Sequence, residues 1–261
     1  VDDPRVIRFR TFSKAHGMAG MRIAYGIAAP EIARAYDKIR NHFGVNRVAQ
    51  AGTRVGFNGA DMLRHNQIAA MVEKADQDFG SVDIVVNNAG NQRNALFEDL
   101  TEEDIESVLA VHLKGAFYVT QPAYRLMKAQ GSGRIVFTSS QSGVFGNPYR
   151  ANYGAAKTGV IGLMRVLVQE APAGVRVNAI MPNASGSRMG TPGEERVDKD
   201  FIAAILARGN AWAERMAPEW CAALVAWLAS PACDVTGECF SVLRGHYARV
   251  FTGRGSGWAP Q

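Results

Sequence analysis

Three cysteines in 261 residues, Cys221, Cys233 and Cys239, are too few and too unevenly spaced for a disulfide framework or a zinc site. Reduced thiols are expected, and no chemistry is assigned to them. No window approaches the roughly 20 uninterrupted apolar residues of a membrane-spanning helix, so no membrane association is expected. The opening residues, VDDPR, lack the basic and apolar regions of a secretory signal, which makes a cytoplasmic setting the expectation. Low-complexity stretches, internal repeats and basic runs interleaved with aromatics are also missing. The formal charge of +5 therefore does not point to nucleic acid. Its distribution says something else: the first 51 residues hold nine Lys/Arg against four Asp/Glu, and the rest holds twenty of each. That asymmetry marks a compositional boundary near residue 52.

What is present suits a globular chain with a sizeable core: 47% hydrophobic, 20% charged, with 27 glycines. From residue 53 onward, strand and helix patterns alternate. TRVGF (53–57) reads as a short strand, residues 64–79 as a helix through Ile68, Met71, Val72, Ala75 and Phe79, and VDIVV (82–86) as a buried strand. Thr101 followed by Asp104 resembles a capping box that opens a helical region reaching Lys128. GRIVFTS (133–139), VRVNAIM (175–181) and a final CFSVL (239–243) read as strands, and 151–170 and 218–230 as helices, the last with Pro218 in its first turn. This βαβα order predicts an α/β fold, a doubly wound parallel sheet. Before residue 52, VIRFR and MRIAYGIA are strand candidates separated by about eleven residues, marginal for a parallel crossover, so an antiparallel pair or separate layers are expected. PEIARAYDKIRN (30–41) reads as a helix, and the Gly-rich end, TGRGSGWAPQ, as a surface tail or contact arm.

Tyr153 and Lys157 stand four apart on the helix predicted over 151–170, which places both on one face. A cation within reach of a phenol would lower the phenol pKa from about 10 by roughly one to three units and make tyrosine a usable acid or base near neutrality. Ser140, leaving the end of a strand, could donate a hydrogen bond to a substrate oxygen at the sheet edge where open α/β folds bind ligands. Tyr-x-x-x-Lys alone is common, and in isolation an ordinary packing pair is the better reading.

VDIVVNNAG (82–90), SSQSGVFGNPYRANYGAAKTGVIGL (139–163) and VRVNAIMPNASGSRMG (175–190), in this order and spacing, together resemble the short-chain dehydrogenase/reductase family over residues 52–261. The resemblance implies a Rossmann-like fold and an NAD or NADP cofactor. It implies Ser140 as the residue polarising a carbonyl, Tyr153 as general acid/base, and Lys157 as both perturber of Tyr153 and ligand of the nicotinamide ribose. Asn87, Asn88, Ala89 and Gly90 would lie beside the adenosine half, Asp61 near the adenine, and Pro182 and Asn183 beside the nicotinamide. For Asn87 and Asn88, side chains that satisfy backbone groups at a strand end are an equal alternative. His112 stands where most of the family has asparagine, the fourth member of its proton relay. That substitution resembles the hydroxyacyl-CoA dehydrogenase branch of peroxisomal multifunctional enzymes, which implies a 3-hydroxyacyl or 3-ketoacyl substrate, a thioester or ketone. A lone helical histidine is otherwise more often a packing residue. Residues 184–210 would form the substrate lid, and the helices over 102–130 and 151–170 a homodimer or homotetramer interface.

The family's Thr-Gly-x-x-x-Gly-x-Gly loop, which lets backbone approach a pyrophosphate, has no counterpart; HGMAGMR and TGRGSG lack the strand and helix around it. In its place, residues 1–51 resemble the cofactor-lysine segment of histidinol-phosphate aminotransferases, with Lys14 as Schiff-base lysine and Ser13 and Arg22 as phosphate contacts. The remaining groups that pyridoxal phosphate needs are absent, so Lys14 reads as a loop lysine and this cofactor is not favoured. The expected chain is a reductase core joined near residue 52 to an unrelated segment without a core of its own, with the usual first strands and Gly-rich loop replaced and cofactor binding weakened. MRIAYGIA is the candidate to fill the missing place beside VDIVV. A non-catalytic structural or binding protein is the alternative, and a pyridoxal-phosphate enzyme comes third.

Overall fold

The computed structural model describes residues 8–11, 24–27, 65–183, 196–201, 203–204, 217–243 and 245–253. Strand β4 (Gly133–Thr138) shows how the sheet is built. Its residues are buried on both faces: Ile135 and Phe137 pack into one apolar cluster, and Val136 between them joins another. β5 (Val175–Asn183) repeats the alternation, with Val177, Ala179 and Met181 on the first side and Ile180 on the second. Strands apolar on both faces need a helical layer on each, and the chain supplies them. Helices α1 (His65–Phe79), α3 (Gly115–Gln130) and α5 (Ala151–Glu170) cover the first face, and α6 (Pro218–Ala229) covers the other through Leu224 and Leu228. Each fully buried side chain of this kind contributes roughly 1.5–3 kcal/mol.

Five strands form the main sheet in the order β3 (Ile84–Asn87), β4, β5, β6 (Cys239–Leu243), β7 (His246–Val250). The first four are parallel, and β7 turns back antiparallel through Gly245, whose φ of 76° suits a residue without a side chain. Rossmann-like α/β architecture is thus as the sequence implies. β6 is not the final strand, however. β7 is exposed over most of its length and carries no apolar run, the signal by which the buried strands are read. It sits at the sheet edge, where one side pairs and the other meets solvent. Asn178, buried in β5, accepts from the Glu238 N–H and donates to the Val235 carbonyl, fastening the loop that leads into β6.

Residues 102–130 form one nearly continuous helical rod: α2 (Glu102–Leu109), a wide π turn over Ala110–Lys114, then α3. The capping box is formed: the Thr101 side chain accepts from the Asp104 N–H, and the Asp104 carboxylate accepts from the Thr101 N–H. α4 (Gln141–Phe145) is a one-turn helix that the periodicity does not signal.

At the N-terminus, β1 (Arg8–Thr11) and β2 (Ala24–Ile27) pair antiparallel, Arg8 opposite Ile27. The link between them, residues 12–23, is at the short limit for a parallel crossover, and local antiparallel pairing is the solution adopted. β2 therefore does not take the place beside β3: among the described residues β2 pairs only with β1, and β3 is a sheet edge. TRVGF, the helix read over 30–41, Lys14, Ser13, Arg22 and Asp61 lie outside the described residues.

Candidate functional site

Three strand ends meet at the carboxyl edge of the parallel sheet: Asn87–Gly90 after β3, Ser139 and Ser140 after β4, and Pro182 and Asn183 closing β5. α5 begins beside them. Its side chains Tyr153 and Lys157 are 8% and 4% exposed, so a pair that could have stood in water is enclosed. The helix is fixed to the edge by Ser139, whose hydroxyl donates to the Lys157 carbonyl at 2.8 Å. Lys157 Nζ donates to the Thr138 carbonyl at 2.5 Å and stands 5.6 Å from the Tyr153 ring centroid. Ser140 caps α4, its oxygen accepting from the Ser142 N–H, and its hydroxyl stands near enough to the Tyr153 phenol to favour the phenolate. Ser140, Tyr153 and Lys157 are thus brought together.

Electrostatics here differ from the expectation. Burial pushes the Tyr153 phenol above its usual value, and the Ser140 hydrogen bond and the Arg150 charge pull it back only in part. Lys157 does not supply the expected lowering. Its ammonium is itself so desolvated that its pKa falls to about 7, and a half-neutral amine committed to a carbonyl is a weak perturber.

His112 lies in the π turn, 4% exposed, with its ring edge-on to Tyr153 at 5.0 Å. Its Nε2 is 2.7 Å from the Asn91 carbonyl and 3.2 Å from the Asn91 N–H. Burial first, then the nearby Lys157 charge, lowers its pKa to about 3, so the imidazole is neutral across the physiological range. Gly90 makes room for it: a Cβ there would stand 2.7 Å from His112 Cε1. Asn91 in turn donates through Nδ2 to the carbonyl and hydroxyl of Ser107.

Asn87 and Asn88 do not satisfy backbone at the strand end. Asn87 Nδ2 donates to Thr120 Oγ1, and Asn88 Oδ1 accepts from Thr138 Oγ1. Backbone of the turn after β3 is thereby held between α3 and β4.

The donor set suits the ribose and nicotinamide half of an NAD(P) cofactor: a buried ammonium and a buried phenol beside the strand ends at the carboxyl edge of the sheet. Lys157, Tyr153, the turn 87–90 and Pro182–Asn183 would hold it. Nothing in the described residues addresses the pyrophosphate half. No group of three or more His, Cys, Asp or Glu able to hold a metal occurs among them either.

Sequence reading missed the groups that brace this site. Asn152 is buried, with its amide donating to the Arg93 and Asp104 carbonyls. Asp104 is gripped bidentately by Arg196, which holds its carboxyl far below the ordinary carboxylate range. Tyr149 adopts a φ of 64°, unusual for a non-glycine residue, and its ring meets Phe201 at 5.0 Å. Asn152 was visible beside Tyr153 in ANYGAAK; Arg196 carries no spacing signal at all. Of the stretch read as a lid, residues 196–201 and 203–204 are described.

The family model of the short chain dehydrogenases matches residues 19–197, beginning ahead of the boundary near residue 52. Peroxisomal multifunctional enzyme type 2 of Mus musculus is 40% identical over 181 residues, covering 69% of this chain and 23% of that protein. Acetoacetyl-CoA reductase of an Acinetobacter species is 38% identical over 195 residues, covering 74% and 77%. A crystal structure of a short chain dehydrogenase from Mycobacterium avium superposes with a TM-score of 0.60 at 34% identity, covering 82% of this chain and 72% of that one. The chain thus spans less than a quarter of the mouse enzyme and about three quarters of the bacterial reductase. With the matched segment containing the strand ends, His112, Ser140, Tyr153 and Lys157 together, the chain belongs to the short-chain dehydrogenase family.

Proposed function

We propose that this oxidoreductase interconverts 3-hydroxyacyl and 3-ketoacyl groups, with an acyl thioester as substrate and NAD or NADP as cofactor. The observation that carries the reading is the burial of Tyr153 and Lys157 beside the strand end that bears Ser140, at the carboxyl edge of the sheet. The name of the Acinetobacter relative, acetoacetyl-CoA reductase, supplies the acyl class.

A bound nicotinamide supplies a hydride in the reducing direction and removes one in the oxidising direction. The residues of this chain supply the rest. In reduction, the Tyr153 phenol gives its proton to the carbonyl oxygen as negative charge develops there, and in oxidation it takes that proton back. Ser140 donates a hydrogen bond to the same oxygen, stabilising the charge that develops there. The raised Tyr153 pKa keeps the proton on the phenol before reaction, and Lys157, 5.6 Å from its ring, is held at the Thr138 carbonyl. His112, neutral throughout, holds the Asn91 turn and the face of Tyr153, the role left to it by a buried ring tied to backbone.

Exposed Phe117 and Val166 on α3 and α5, with exposed Phe145 on α4, favour a homodimer or homotetramer. No helix among the described residues is long and apolar enough to cross a membrane.

The test is fluorescence titration of the full chain with NADH and NADPH, followed by turnover of an acetoacetyl thioester, with Tyr153→Phe alongside. Saturable binding is expected, and loss of about 10²–10⁴ in kcat for the variant. A folded chain that binds neither cofactor is the outcome for a non-catalytic relative. An absorbance band from an internal aldimine after incubation with pyridoxal phosphate would favour the aminotransferase reading.

A further inference from the structure

Helix α5 starts without a conventional cap. Arg150, at the N-cap position, has no side-chain acceptor and makes no capping bond. The first-turn N–H groups of a helix need a partner, and those of a helix that begins inside a site cannot all take water. Here the Tyr153 N–H is bonded at 2.7 Å to the Oδ1 of the residue before it, Asn152. The same amide points its other end at two carbonyls from distant segments, Arg93 at 3.0 Å and Asp104 at 3.1 Å. One side chain, 5% exposed, therefore joins the loop after β3, the start of α2 and the residue bearing the phenol.

Asp104 is itself fixed. Its Oδ2 accepts from the Thr101 N–H and hydroxyl and from Arg196 Nη1, and its Oδ1 accepts from Arg196 Nη2 at 3.1 Å. Arg196 also donates to the Asp99 carbonyl. The chain beyond β5 is thus tied to the same junction by a bidentate ion pair, the geometrically demanding kind.

We infer that Asn152 is a positioning residue for Tyr153: its amide holds the Tyr153 backbone N–H and pins that turn to Arg93 and Asp104, while the Arg196–Asp104 pair braces the junction from the other side. This rests on the acid/base role of Tyr153. Neither Ala151 before Asn152 nor Gly154 after Tyr153 offers a side-chain acceptor, and Arg150 carries only donors. A displacement of about 1 Å at a reacting group costs on the order of a hundredfold in rate while leaving substrate affinity nearly intact.

The experiment compares the wild-type chain with Asn152→Ala and Asn152→Ser in steady-state reduction of an acetoacetyl thioester, with folding checked by circular dichroism. Asn152→Ala is expected to lower kcat by about ten- to a hundredfold with KM within about threefold. Asn152→Ser, whose hydroxyl can accept from the Tyr153 N–H and donate to one carbonyl, is expected to recover part of that loss. If Asn152→Ala does not fold, Asn152→Leu, of similar size but without acceptor or donor, decides: a kcat several times below wild type with KM within about threefold supports the assignment, and wild-type kcat overturns it. A folded Asn152→Ala with unchanged kcat, or one that loses only thermal stability, also overturns it. Absence of turnover in the wild-type chain overturns the reductase reading, and this inference with it; turnover in wild type alongside an unaffected variant overturns the inference alone.

Discussion

At neutral pH the His112 imidazole carries no charge, and the protein depends on that. The unfolded chain takes up a proton on this residue near pH 6.5, whereas the folded chain refuses it until about pH 3. Stability contributed by the depressed pKa is therefore complete above about 6.5 and lost as pH falls toward 3. Lys157, depressed from 10.5 to about 7, loses most of its share at higher pH, and Asp104, also depressed, loses its share only below the ordinary carboxylate range. Between pH 7 and 5 His112 dominates these three. Urea unfolding of the wild-type chain is expected to lose about 2 kcal/mol over that interval, at roughly 1.4 kcal/mol per pH unit below 6.5. His112→Asn should flatten the dependence; parallel curves for the two proteins would show that the ring titrates normally in the fold. Gly90→Ala tests the same ring from the other side. The added methyl drives into Cε1, so the Asn91 and Tyr153 contacts shift, and kcat for thioester reduction is expected to fall by at least about tenfold while overall helicity is kept.

Among the elements, those with local chemistry were the legible ones. α5 occupies the 151–170 span read from apolar periodicity, and the Thr101–Asp104 box was readable because capping is a contact between near neighbours. β3 begins two residues later than VDIVV suggests, since burial of Val82 in the core does not require it to pair. β7 was invisible because an exposed edge strand needs no apolar pattern, and α4 because one turn of helix is shorter than a period analysis can register. The site divides along the same line. Ser140, Tyr153 and Lys157 lie within one segment and could be found there; the Asn152–Asp104–Arg196 junction is made of contacts 48 and 92 residues apart in sequence, which spacing cannot encode. Thr101→Ala removes the cap of α2 and is expected to cost about 1 kcal/mol in the denaturant midpoint. A loss below a few tenths would mean that the Arg196 pair alone secures this helix start.

For the molecule as a whole, the unburied apolar side chains are the informative ones. Phe117 is 47% and Val166 55% exposed, on helices whose other faces pack into the core. Sedimentation velocity of the wild-type chain is expected to give a multiple of 28.2 kDa. Phe117→Glu combined with Val166→Glu, which places charge where apolar contact is required, should shift the protein toward a single subunit. A wild-type monomer would remove these faces as an interface. Letters along the rod of residues 102–130 are freer to drift than its count. Buried Asp104, Val108, His112, Ala116 and Thr120 recur every four residues, and in a uniform α-helix those four steps would wander about 160° around the axis. The wide turn at Ala110–Lys114 rewinds part of that drift. One residue gained or lost on either side of it would swing His112 away from Tyr153 or strip Thr120 from Asn87, so descendants of this chain should vary in spelling through this stretch while keeping its length.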